Sequence, residues 1–271
     1  YRTRSAGSWS GWQSTDVGEN VTTADGARHA IEPLYVGVAE GVEIRLTTPT
    51  GSGSITDARV VLIDGGIASG DARPATLPES SEQSASGTLS AAAASSSLPN
   101  LYPRPSIVSR KGWGADESWR ESGYKYDDTI RGAIVHHTAG VNSYSRSEAP
   151  SIVRGVYAYH TRTLGWSDIG YNFLIDKYGT IYEGRAGGVD RAVHGAHATD
   201  WNTDTVGISF MGNFETATPP AVMIEAAAKL LAWKLEAFYV DPQAWVTLAG
   251  KRIRTISGHR DVMSTACPGR N

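Results

Sequence analysis

Between residues 67 and 104 the chain almost stops using bulky apolar side chains. Ser80-Ser81-Glu82-Gln83-Ser84-Ala85-Ser86-Gly87 and Ala91-Ala92-Ala93-Ala94-Ser95-Ser96-Ser97 typify the stretch. A segment of this kind cannot bury enough surface to offset its ordering entropy, so it reads as a linker. The cores must then form on either side, in residues 1–66 and 105–271. Apolar residues make up 40% of the 271-residue chain, enough for real cores. Tyr102-Pro103-Arg104-Pro105 reads as the stiff end of the linker, docking onto the second domain.

Bulk charge removes some classes of partner. The net charge is −3 and the pI about 6.2, so no basic footprint suggests nucleic acid. No apolar run approaches the ~20 residues of a membrane span. Tyr1 is not a methionine and begins in mid-strand, so an N-terminal segment is expected to precede it, and a removed export signal would fit.

Residues 1–66 read as β. Tyr1–Arg4 and Ser8–Trp12 flank a Gly turn, Pro33–Val38 and Val42–Thr47 alternate, and Ala58–Asp64 is a more continuous run. Short strands separated by turn residues predict a small all-β, sandwich-like domain. Trp9 and Trp12 would serve either as a carbohydrate platform or, the heavier alternative, as core or edge packing. His29 is expected to be solvated.

Residues 105–271 alternate element types. Gly132–His137 is a buried strand. A helix starts at Ser147-Glu148-Ala149-Pro150, with Ile152, Val153, Val156, Tyr157 and His160 on one face. Tyr171–Ile175 and Thr180–Glu183 make a hairpin, and Val206–Met211 is another strand. Pro219-Pro220 precedes a helix burying Ile224, Ala227, Leu230, Leu231 and Leu235. Arg252–Ser257 is a last strand delivering His259. The pattern is α/β, a central mixed sheet flanked by helices.

The chain has one cysteine, Cys267, eight residues after His259. It cannot close a disulfide within the chain, so the thiol is inert, reactive or a metal ligand. A catalytic zinc takes three protein ligands and leaves one position to water, so His259 and Cys267 would need a third partner. Val135-His136-His137-Thr138-Ala139-Gly140 offers one: a strand running into a turn, where alternation lets only one histidine face a given site. Taken alone, the motif reads as a histidine hydrogen-bonded at a strand end rather than as a ligand.

These stretches, with Leu164–Phe173, Ile181–Arg185, Gly195-Ala196-His197, Val206–Asn213 and Gly258–Gly269, resemble the zinc-dependent N-acetylmuramoyl-L-alanine amidases of the peptidoglycan recognition protein family. They occur in the family's order over roughly residues 105–271. The resemblance implies Zn2+ held by His136, His259 and Cys267, with the first histidine of the pair as ligand. It implies a catalytic Tyr171 orienting the water or the scissile carbonyl. It also implies Thr265 beside the metal, where some phage-type members carry lysine, which leaves the proton shuttle open. His160 and His197 match positions that contact the muramyl-peptide; a satisfied helix histidine is an equal reading for His160. Trp166 reads as a packing anchor and His194 as exposed loop. Many members read Gly-Arg-Gly-Trp where this chain has Gly184-Arg185-Ala186-Gly187-Gly188 and a longer loop, so stem-peptide choice does not carry over.

The function so implied is that of a secreted bacterial enzyme of the cell wall. It would cut the amide between the lactyl group of muramic acid and L-alanine, with peptidoglycan as partner and a monomer as the expected state. Two alternatives stand beside it. A non-catalytic peptidoglycan-binding module usually lacks the cysteine, and a structural envelope protein would act through residues 1–66. A chain starting near Tyr102 is expected to keep hydrolysing soluble muramyl-peptides, and activity to fall below about pH 6 as ligand histidines protonate. Relatives usually continue past Cys-Pro-Gly, so the native protein is expected to be longer than Asn271.

Overall fold

The computed structural model describes residues 1–15, 20–23, 26–29, 33–37, 39–47, 58, 60–66 and 102–270. The linker expectation for 67–101, and the side chain of His29, lie outside these. The N-terminal part is all-β. Strands β1 (Arg2–Ser5) and β2 (Ser8–Trp9) form a hairpin across Ala6-Gly7, both in the left-handed region (φ 48° and 75°). A second hairpin joins β3 (Asn20–Thr23) to β4 (Gly26–His29), and β5 (Gly41–Glu43) pairs antiparallel with β1. Trp9 and Trp12 lie outside any core. The Arg2 guanidinium sits 4.9 Å from each ring and Arg45 4.2 Å from Trp12, an edge packing held by cation–π attraction.

Two expected strands are not strands. Residues 33–37 and 60–66 are irregular, and Leu62 is 83% exposed. Among the described residues neither segment pairs with a strand; Tyr35 and the Gly65-Gly66 turn instead contact the C-terminal domain.

That domain is built on a six-stranded mixed sheet. Its first strands are β6 (Ile107–Val108), β7 (Gly132–His137), β8 (Phe173–Ile175), β9 (Ile181–Glu183) and β10 (Thr205–Phe210). Beyond them β11 (Trp245–Leu248) and β12 (Lys251–Arg254) form a separate hairpin, and β13 (Ile256–Gly258) completes the sheet. The order is β13-β7-β10-β8-β9-β6, parallel except for the β8–β9 hairpin. The expected single strand Arg252–Ser257 is thus split at Thr255. This residue donates its N–H to Ala244 and accepts from Ala133 at 2.7 Å, passing the chain from the small hairpin to the main sheet.

Strand alternation separates two cores. Phe173, Ile175, Val206, Ile208 and Phe210 meet α2 (Ala221–Glu236) on one face. Leu174 and Tyr182 meet α1 (Ala149–Ala158) on the other, together with Trp113 and Tyr157. Pro150 opens α1 as expected, since its missing N–H is no loss in the first turn. Of the expected buried face of α2, Ala227, Leu230, Leu231 and Leu235 are buried; Ile224 alone is 47% exposed, and Met223 beside it is fully buried instead. Past its end α1 widens into a π-turn over Tyr159–Thr163, which carries His160.

The N-terminal part is clasped onto α1. Buried Arg154 donates from Nε to the carbonyl of Gly65, from Nη2 to Gly66 (2.6 Å) and from Nη1 to Trp113 (2.6 Å). A Cβ on Gly65 would overlap the Ser151 carbonyl, so only glycine permits this approach. Tyr35 donates its hydroxyl to Glu148 at 3.0 Å and packs on the α1-side core. These contacts change the expectation of a self-sufficient second domain. A chain shortened to begin at Tyr102 loses two carbonyl partners of a buried guanidinium, and is expected to lose about 3 kcal/mol, or roughly 6–12 °C in Tm. A thermal melt identical to that of the full chain would show the clasp to be energetically idle.

Candidate metal centre

The parallel neighbours β7 and β13 end side by side, at His136-His137 and at Gly258. His259 comes next, as the first residue of the one-turn helix α3 (His259–Val262), whose Gly258 N–H is held by the Asp261 carboxylate at 2.8 Å. Two histidines therefore leave the same end of the sheet, with ring centroids 4.3 Å apart. Cys267 is brought back by the loop that ends in the cis Cys267-Pro268 peptide and Gly269. At Gly269 (φ 104°) a side chain would collide with the Phe214 backbone.

Potential ligand atoms of His136, His259 and Cys267 all lie within 4.8 Å of one another. Cys267 Sγ is 3.7 Å from His136 Nδ1 and accepts the His137 N–H at 3.3 Å. Bonds of about 2.1 Å to nitrogen and 2.3 Å to sulfur in a tetrahedron place the two donors about 3.6 Å apart. The residues fit a zinc ion. Alternation now explains which histidine takes part: His137 faces the α2 side, where its Nδ1 accepts the Phe214 N–H at 3.2 Å.

Burial keeps the imidazoles neutral. Desolvation, followed by the neighbouring histidines, holds His136 well below its usual range. Burial first, then nearby positive charge, pushes His259 down to about 4 and His197 to about 3. The metal-ready form thus persists to lower pH than a free imidazole allows, so acid loss of the metal should fall below the expected value of about 6. Stability behaves differently. Above about pH 6.5 these groups are neutral in both folded and unfolded chains; below it only the unfolded chain takes up protons, so stability drops as pH falls towards 4. With chelator present, the three groups together should lose up to about 4 kcal/mol between pH 7.5 and 5.5. Denaturant midpoints at pH 7.5 and 5.5 check this; equal midpoints would contradict it.

Around the cluster, Tyr171 is buried, its ring 5.3 Å from that of His136 and 5.6 Å from that of His160. Thr265 Oγ1 accepts the Cys267 N–H at 3.1 Å, closing the turn that presents the thiol. His160 accepts the Gly170 N–H on Nδ1 at 3.1 Å and stacks on Trp166 at 4.5 Å, as a satisfied helix histidine would. His197, expected at the substrate, is buried with its Nδ1 3.0 Å from His136 Nε2. His194 is not an exposed loop residue; its Nδ1 lies 2.7 Å from Asp127.

Sequence pattern alone assigns no role to Lys234. Its ammonium is buried under α2 and donates to the carbonyls of Val189 (2.6 Å) and Arg191 (2.8 Å), pinning the long loop before His194. Burial pushes its pKa down to about 8. A lysine among apolar residues at a core-facing helical position was the available signal.

The sequence model of the family described as N-acetylmuramoyl-L-alanine amidase matches residues 126–270, more than half of the chain. The chain belongs to this amidase family. Its relatives include peptidoglycan-recognition protein SC2 of Drosophila simulans, 38% identical over 165 residues, covering 61% of this chain and 81% of the relative. Peptidoglycan recognition protein 1 of Bos taurus is also 38% identical over 165 residues, covering 60% and 78%. Among solved structures, wild-type Drosophila PGRP-LB superposes with a TM-score of 0.50 at 33% identity, over 60% of this chain and 88% of that one. A complex of PGRP-LCa and PGRP-LCx ectodomains with tracheal cytotoxin gives 0.52 at 29%, over 60% and 90%. The amidase domain thus has the mixed-sheet fold of the peptidoglycan recognition proteins. Residues 1–84 match a second family, described as Rv3811 N-terminal galactose-binding domain-like, in keeping with the all-β part. Among the described residues of this amidase-family chain, no helix is long and apolar enough to cross a membrane.

Proposed function

We propose that the chain is a zinc-dependent N-acetylmuramoyl-L-alanine amidase, secreted to the bacterial cell wall, that hydrolyses the amide between the lactyl group of muramic acid and L-alanine. The observation that carries the reading is the cluster of His136, His259 and Cys267, two neutral imidazoles and a thiol whose spacing suits a tetrahedral ion. A zinc ion bound there supplies an acidified water and a polarised carbonyl at neutral pH.

The chain's own residues do the rest. The His137 N–H held 3.3 Å from the sulfur favours the thiolate over the thiol. Thr265 fixes the turn from which that thiolate projects. Tyr171, packed beside the His136 ring, offers a hydroxyl to the oxygen on which negative charge develops. His160, stacked on Trp166, walls the same side of the site. The clasped segment also approaches the turn after β7, where the Pro33 carbonyl lies 3.6 Å from where a Cβ on Gly140 would sit.

A non-catalytic peptidoglycan binder is the second reading, since the similar PGRP-LCa and PGRP-LCx ectodomains are solved in complex with tracheal cytotoxin. Metal analysis of the purified full chain, paired with mass spectrometry of a muramyl-peptide digest, separates the two. Near-stoichiometric zinc and release of a peptide with a free L-alanine amine are expected. A metal-free chain that retains muramyl-peptide without cutting it would establish the binder.

A further inference from the structure

We infer that His197 is a positioning residue: it holds the His136 ring in the one tautomer that can bind a metal through Nδ1. The assignment rests on the zinc reading above. His136 turns Nδ1 toward Cys267 Sγ (3.7 Å) and Nε2 toward His197 Nδ1 (3.0 Å). A neutral imidazole carries one proton, and the nitrogen without it is the ligand. For Nδ1 to be free for metal, the proton must sit on Nε2 and be donated to His197.

His197 can accept it only by carrying its own proton on Nε2. That atom is buried and, among the described residues, has no hydrogen-bond partner. A histidine serving stability alone would be expected to turn this donor toward an acceptor or solvent. Instead the ring is locked. A Cβ on Gly195 or on Gly207 would overlap it, so two glycines make its berth. The Asn202 side chain accepts both the His197 and Ala198 backbone N–H groups, at 2.7 and 2.8 Å. The register pairs Gly207 with Ile134 and Ser209 with His136, so the berth opens one step below the ligand on the same sheet face. The rings meet edge-on at 80°, which directs a ring-edge nitrogen of one at the other. His197 thus supports the metal site through the His136 ring.

The full-length chain tests this with three proteins and two readouts. Zinc affinity is measured by competition with a chelator for wild type, His197→Leu and His197→Asn. Leu fills the berth without an acceptor and is expected to weaken zinc about 10- to 100-fold, the usual effect of removing an outer partner of a ligand histidine. Asn places an oxygen near the Nδ1 position and is expected to restore most of the affinity. The metal-free Tm of His197→Leu should change little, because the unpartnered donor lost with the ring offsets the one left on His136 Nε2. Equal zinc affinity in wild type and His197→Leu would overturn the assignment while leaving the zinc site standing. A wild type that takes no zinc would overturn the zinc reading, and this assignment with it. Nitrogen NMR of the imidazoles in the metal-free wild type is independent of any variant's folding. Both His136 and His197 are expected as Nε2–H tautomers, and His136 found as Nδ1–H would overturn the inference.

Discussion

Cys267→Ser is expected to strip the chain of zinc and of hydrolysis while leaving the fold in place. Serine is a hard, neutral donor at neutral pH, whereas the thiolate brings both charge and a soft sulfur. Apparent binding energies of about 10–16 kcal/mol for four-ligand zinc sites put an average ligand near 3 kcal/mol, so affinity should drop about 100-fold or more. His136 and His259 remain, but two imidazoles do not make the three-ligand set of a catalytic centre. Cys267 is only partly buried, so the metal-free Tm should move little. Zinc per chain after dialysis and turnover on a muramyl-peptide read the result. Full occupancy in the serine variant would remove Cys267 from the ligand set.

Tyr171→Phe should do the opposite to metal and chemistry, keeping the first and losing the second. Only the hydroxyl is removed; the ring stays in the α1-side cluster with Trp113, Tyr157 and Leu174. The backbone is anchored independently, since the Tyr171 carbonyl accepts the Arg185 N–H at 2.9 Å. Loss of one oxyanion donor typically costs about 100- to 1,000-fold in turnover. The interaction strengthens mainly in the transition state, so kcat should fall far more than KM rises. Turnover, zinc content and Tm measured on one preparation decide the point. Normal turnover with full zinc would leave Tyr171 a packing residue.

Much of the C-terminal domain can be read from local pattern. Gly132–His137 is buried on both faces and therefore written as a continuous apolar run, and the structure has this strand over the same residues. Pro150 and the Pro219-Pro220 pair mark helix starts because proline is tolerated only there. The metal cluster was legible through residue identity, a lone cysteine near a histidine, and through the family's motifs. Contacts set by register were not. His136 and His197 are 61 residues apart and meet because β10 and the loop before His197 place Gly207 and Gly195 under a histidine ring. Lys234 has no role in the sequence pattern, because the Val189 and Arg191 carbonyls that hold it come from a loop more than 40 residues earlier. Residues 33–37 alternate like a strand, yet alternation records only which sides are wet. Tyr35 is half-covered because it lies on α1.

The place of β13 beside β7 has a consequence for synthesis of the chain. By the time Phe210 has left the ribosome, β7 and β10 are both available to pair. The flank of β7 that β13 will occupy is still open. At about 5–20 residues per second, the next 48 residues take roughly 2–10 s to arrive. Throughout that interval the nascent chain displays unpaired main-chain groups of Ala133 and Val135 next to buried Ile134, a ready template for pairing with another chain. No ion can shorten the wait, because His259 and Cys267 lie beyond the missing strand. The same few residues therefore close the sheet edge and complete the metal cluster, and a ribosome stalled before Ile256 would leave a product lacking both.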